Sequence, residues 1–162
     1  MRLAVASFAA VLSFAAALPA SAQLLQRKDL SMGTALAIAQ TAAESCKGSG
    51  YNVSVTVVGR NGEVIVALRG DNASPHTSEN SMRKAYTSRT FRVPSGEFEE
   101  RVKANPTIGQ VHLANVVASR GALPIKVGDE VIGAVGVSGA PGGDKDEVCA
   151  KTGIDKVADQ LR

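Results

Sequence analysis

The sequence predicts an α+β fold in which helices cover one antiparallel sheet. Three observations carry that expectation. Residues 51–58 alternate, with Tyr51, Val53, Val55 and Val57 on one side and Asn52, Ser54, Thr56 and Val58 on the other, which is the period of a strand. Arg60-Asn61-Gly62 follows, and Asn-Gly before a second β-rich run, 63–69, is the strongest short hairpin signal. A further pair of β-rich runs, 123–127 and 131–137, flanks a Gly128-Asp129 turn, while helical periodicity fills the ends and the middle of the chain.

Each element has its own local signal. Ser31 is placed to cap a helix running to about Lys47, with Met32, Ala35, Leu36, Ala39, Ala42, Ala43 and Cys46 on one stripe and Gly48 and Gly50 at its end. That stripe is mostly alanine, so the helix must lie close to what it covers. After the hairpin, 70–76 is a loop, and Thr77 or Ser78 opens a helix to about Arg92 with Met82, Ala85 and Tyr86 inward. Pro94 breaks it, and Ser95 caps a shorter helix that stops before Pro106. Thr107 to Ala114 is irregular and holds His112, and 116–118 is expected as a short strand. In the run 131–137, Gly133, Ala134 and Gly136 leave little side chain on either face. Glycine weakens a strand, so here it marks a bulge or a close approach of another backbone. Asp144, with Glu147 three residues on, reads as the N-cap and capping-box partner of a last helix to Leu161. Val148, Cys149, Val157 and Leu161 are its expected buried residues, and Gly153 permits close packing. The expected order is α-β-β-α-α-β-β-β-α, with five strands.

Residues 1–22 read as a secretory signal: Arg2, an apolar alanine-rich run, and an A-x-A site ending at Ala22. The run is shorter than the roughly 20 residues a spanning helix needs. The mature chain, 23–162, is then exported, periplasmic or secreted, and of a size for one domain. Removing Arg2 lowers the formal charge from +3 to +2, a balance that argues against a nucleic-acid partner. Arg83, Lys84, Arg89 and Arg92 spread around a helical wheel and read as a solvated face. The two cysteines are Cys46 and Cys149. In an oxidising compartment an even pair points to a disulfide. Cys46 ends the first helix and Cys149 lies in the first turns of the last, each on its apolar stripe, so antiparallel packing would bring them together. The bland alternative is two buried thiols acting as small apolar residues.

Several enzyme signatures fail. Gly136-Val137-Ser138-Gly139-Ala140 misses the nucleophile elbow at its last residue, and no histidine follows Ser138. There is no Walker A lysine, no G-x-G-x-x-G spacing and no H-E-x-x-H. What remains is a glycine-rich loop, Ser138 to Gly143, before a helix start, and two loop histidines, His76 and His112. The loop reads either as a plain strand-to-helix turn or as an anion site made of free amides. Each histidine reads as a surface residue or as an axial ligand to a haem-like group. His76, between a strand and a helix, has the better scaffold and His112 the weaker. Tyr51 and Tyr86 carry phenolic oxygens but read first as aromatics at the edge of the core.

Together, YNVSVTVVGRNGEVIVALRGDNASPHT, RKAYTSRTFRVPSGE and EVIGAVGVSGAPGGDKDEVC resemble the GlcG/HbpS family of haem-binding proteins, over nearly the whole mature chain. The resemblance implies a profilin-like layered fold with a five-stranded antiparallel sheet, homo-oligomers, and haem or a similar tetrapyrrole as ligand. In secreted relatives it implies haem scavenging or signalling to a membrane sensor kinase. Pro75-His76-Thr77 matches the histidine of the secreted subgroup, and Ser138 to Asp144 its glycine-rich loop, so the implied binding residues are His76, Ser138, Gly139, Gly142 and Gly143. The chain departs from the family at Ala118-Ser119-Arg120-Gly121-Ala122-Leu123-Pro124-Ile125, where a Gly-Gly-Gly run often precedes Pro-Ile. Arg120 stands where those glycines leave space, which makes it a candidate partner for a propionate.

The expectation is therefore an exported, oligomeric haem-binding module, more a binder than an enzyme, with no span after signal cleavage. Two other readings stay open: an enzyme on a small organic acid held by the glycine-rich loop, and an interaction protein with no ligand of its own.

Overall fold

Gly136 sets how closely the layers approach. The computed structural model describes residues 23–162, so the expected signal, 1–22, lies outside the described residues. The strands are β1 (Ser54–Val58), β2 (Val64–Arg69), β3 (Ala122–Val127) and β4 (Glu130–Ser138), antiparallel in the order β2-β1-β4-β3. The helices are α1 (Met32–Gly48), α2 (His76–Phe91), α3 (Ser95–Ala104) and α4 (Gly143–Lys156). Among them, none is long and apolar enough to cross a membrane.

The alternation of β1 sorts its two faces. Val53, just before the strand, with Val55 and Val57, joins Val135 and Val137 of β4 in the main core under α1 and α4. Ser54, Thr56 and Val58 face α2, where hydroxyls replace methyl groups: Ser54 bonds Thr77 and Thr56 bonds Ser81, each at 2.8 Å. Helix α2 presents Ser81 and Ala85 to Gly136, and a Cβ there would strike the Ser81 carbonyl and lie 2.7 Å from the Ala85 amide nitrogen. The close approach expected from the glycines of this strand is therefore made by the backbone of α2.

The other layer is the antiparallel pair α1 and α4. Ser31 caps α1, its Oγ accepting from the Thr34 amide at 3.1 Å. The alanine stripe lets α4 in so closely that a Cβ on Gly153 would stand 2.5 Å from the Ile38 carbonyl. Cys46 and Cys149 form the expected disulfide at the seam, with Cα atoms 5.5 Å apart.

Several expectations need correction, among them the end of the last helix, which stops at Lys156. Among the described residues the sheet has four strands, because 116–118 lies along α2 and not beside the sheet. The Val117 amide donates to Thr87 Oγ1 at 2.9 Å, and the Val116 carbonyl accepts from Arg83. Helix α4 begins at Gly143 with Gly142 at the cap position, so Asp144 lies in its first turn and makes no capping bond. Met32 and Val148 point outward, at 69% and 65% exposure, because the alanine and cysteine positions beside them fill the seam. Lys84 is buried, since α2 turns it toward Asp146 of α4 at 2.8 Å.

Candidate functional site

A polar cleft of about 310 Å³ opens where α2 starts, β4 ends and α4 starts. His76, Thr77, Asn80 and Lys84 come from α2, Glu99 from α3, Ser119 and Arg120 from the segment before β3, and Ser138, Gly139, Ala140 and Gly143 from the strand end and its loop.

His76 is the first residue of α2, not a loop residue. Pro75 already has helical dihedrals, φ −55° and ψ −40°, and proline is favoured where a helix begins. The imidazole is exposed at the mouth of the cleft. One residue on, buried Thr77 anchors this end of the helix by donating to the Ser74 carbonyl at 2.7 Å and bonding Ser54. His112 ends a short 3-10 turn, Gly109–His112, exposed and away from the cleft.

Of the residues expected to bind, His76, Arg120, Ser138, Gly139 and Gly143 meet at the cleft, whereas Gly142 is not among its lining residues. Ser138 Oγ accepts from Asn80 Nδ2 at 3.0 Å. Gly143 lies against the segment before β3, where a Cβ would come within 2.5 Å of the Arg120 carbonyl. Arg120 in turn lies over Gly96, whose Cβ would meet its Nε at 2.8 Å. Its guanidinium is part-exposed and has carboxylates of Glu99, Glu100 and Glu147 at 3.7–4.0 Å, all beyond hydrogen-bond distance.

The glycine-rich loop is a tied turn more than an open anion nest. The Ala140 amide donates to Asp146 and the Gly142 amide to the Ala140 carbonyl. Two of the amides that an anion would use are therefore already engaged.

The pair Lys84–Asp146 is the part that sequence reasoning missed. Both side chains are almost fully buried, at 4% and 3% exposure. Lys84 Nζ donates to Asp146 Oδ2 at 2.8 Å and to the Val137 carbonyl at 3.1 Å, and Asp146 Oδ1 accepts from the Ala140 amide at 3.1 Å. Burial pushes the Asp146 carboxyl up, while the Lys84 ammonium and the Ala140 amide pull it back. Burial also pushes up the carboxyl of Glu147, with Arg120 opposing. A helical wheel shows that Lys84 and Ala85 are neighbours, but not that an aspartate far along the chain waits opposite.

A second groove, of about 300 Å³, lies beside Tyr51, Leu68 and Arg69 and holds none of the expected binding residues. Tyr51 packs against the main core, and Tyr86 packs against Gly62. Tyr51 is the edge aromatic its position suggested.

Comparison with known proteins gives a consistent picture. The family model described as "Haem degrading protein HbpS-like" matches residues 30–155. Protein GlcG of Escherichia coli strain K12 is 30% identical over 109 residues, 67% of this chain and 81% of that protein. The crystal structure of a Streptomyces reticuli HbpS double mutant superposes with a TM-score of 0.78 at 34% identity, covering 86% of this chain and 97% of that one. A crystal structure of a PduOC–haem complex superposes with a TM-score of 0.72 at 25% identity, covering 78% and 94%.

Proposed function

The chain belongs to the HbpS-like family of haem degrading proteins, and on that premise we propose that it binds haem at the cleft between α2 and the loop after β4, with His76 as the iron ligand. The observation that carries this reading is the gathering of His76, Arg120, Ser138, Gly139 and Gly143, from separate parts of the chain, at one cleft. A structural relative crystallised as a haem complex has the same fold.

The residues suit the polar parts of haem. Imidazole is the usual axial ligand of haem iron, and that of His76 is exposed at the helix start. Arg120 presents a planar guanidinium whose N–H donors are not taken up by its carboxylate neighbours, the geometry that suits a propionate. Bound haem would supply iron-centred chemistry and a Soret absorbance. The cleft's lining is polar and its volume small, so it suits a charged edge of the ligand. The faces of the macrocycle need apolar cover from elsewhere, and a homo-oligomer would bring a second copy to provide it.

Export is part of the same reading. A disulfide between distant cysteines belongs to an oxidising compartment, in keeping with the signal expected at 1–22. A role in haem scavenging or in signalling to a membrane sensor kinase rests on the resemblance to secreted relatives. The organic-acid enzyme has less support, because the Ala140 and Gly142 amides are already bonded within the protein.

Titration of the purified mature chain with haemin tests the proposal. A saturable Soret band, shifted from that of free haemin, is expected. A spectrum equal to the sum of protein and free haemin would overturn it.

A further inference from the structure

We propose that the buried Lys84–Asp146 pair is a positioning device that holds both walls of the cleft in place for the ligand. The inference rests on the haem reading only for the identity of that ligand.

The bonds run through both walls. Asp146 Oδ1 holds the Ala140 amide, in the glycine-rich loop. Lys84 Nζ holds the Val137 carbonyl, and the amide of that same residue donates to the Gly121 carbonyl at 2.8 Å, next to Arg120. One ammonium and one carboxylate thus link α2, the end of β4, the loop, α4 and the segment that carries Arg120. Gly121 also leaves room for the pair: at φ +133°, its Cβ would stand 2.6 Å from Lys84 Nζ. A side chain there would displace the ammonium and move Arg120 with it.

Stability alone does not account for the pair. Well-packed apolar side chains of similar volume often hold a fold as firmly as a buried ion pair, because removing two charges from water offsets their attraction. What a hydrogen-bonded pair adds is direction, since each oxygen and each N–H accepts only certain positions for its partner. The same logic governs groups that orient the residues around a metal or ligand without touching it.

The test separates positioning from bulk stability in the full mature chain. The double variant Lys84→Met, Asp146→Leu replaces the pair with apolar side chains. Asp146→Asn, which keeps shape and an acceptor oxygen, is the second variant should the first fail to fold. Amide hydrogen exchange is read at Ala140 and its neighbours, and haemin affinity by Soret titration. We expect near wild-type melting, exchange at Ala140 faster by about ten-fold or more, and haemin binding weaker by about ten-fold with a shifted Soret maximum. Unchanged exchange at Ala140 together with an unchanged haemin titration would overturn the inference, whatever the melting temperature. If the wild type itself binds no haemin, the haem reading fails, and the Ala140 exchange rate alone then supports or overturns the positioning role.

Discussion

The backbone of Ser81 lies directly against Gly136: a side chain on that glycine would collide with the Ser81 carbonyl and crowd the Ala85 amide. Two consecutive turns of α2 are thereby seated on β4. Gly136→Ala is expected to push α2 from the sheet and lower stability by about 1–3 kcal/mol, the usual cost of overpacking a tight interior. Guanidinium unfolding measures it. A midpoint equal to that of the wild type would mean that α2 yields freely at this contact.

The Cys46–Cys149 bond joins the two outer helices across a sequence separation of 103. A loop of that length is rated at about 4–5 kcal/mol in the chain-entropy account of disulfides. Cys46→Ala with Cys149→Ala should therefore lower the melting temperature strongly, and reduction of the wild type should do the same. Alkylation of the purified, non-reduced protein gives a direct check by mass. Two alkylated thiols would contradict the bridge.

Much of the fold was legible because its signals are local. Alternation in 51–58 with Asn61-Gly62 revealed the hairpin, and the alanine stripe of α1 foretold a close neighbour. The disulfide followed from two apolar stripes and an expected oxidising compartment. Misreadings arose where a distant partner decides the outcome. Residues 116–118 are β-rich, yet the Val117 amide and the Val116 carbonyl bond α2 side chains, so the pairing that makes a strand is missing. Lys84 reads as a solvent residue because lysine is almost never buried unless paired, and its partner lies 62 residues away. Asp144 looks like a cap, but Asp146 is the carboxylate that bonds the loop. For His76, the signal is present in Pro75, which favours a helix start one position before Thr77.

Asp146 and Lys84 should be strongly coupled. Asp146→Leu alone leaves a buried ammonium without its counter-charge and is expected to cost about 3–5 kcal/mol, and adding Lys84→Met should recover most of that loss. A double-mutant cycle by denaturant unfolding measures the coupling. Additive losses in the double variant would contradict an ion pair that matters as a unit.

Arg120 is the residue expected to distinguish a free carboxylate from a capped one. Arg120→Met should weaken haemin binding by about 1.5–3 kcal/mol, the range for a hydrogen bond to a charged group. It should leave binding of haemin dimethyl ester nearly unchanged. Equal losses for both ligands would assign Arg120 a role in packing against Gly96 and Gly143 and none in propionate recognition.

His76, at the start of α2, is the proposed iron ligand, and His112, in the 3-10 turn, is not. Soret spectra of His76→Ala and His112→Ala, each titrated with haemin beside the wild type, test this assignment most directly. Loss or displacement of the band in His76→Ala alone, with His112→Ala superimposable on the wild type, is the predicted result. Identical spectra for all three proteins, or loss confined to His112→Ala, would contradict it.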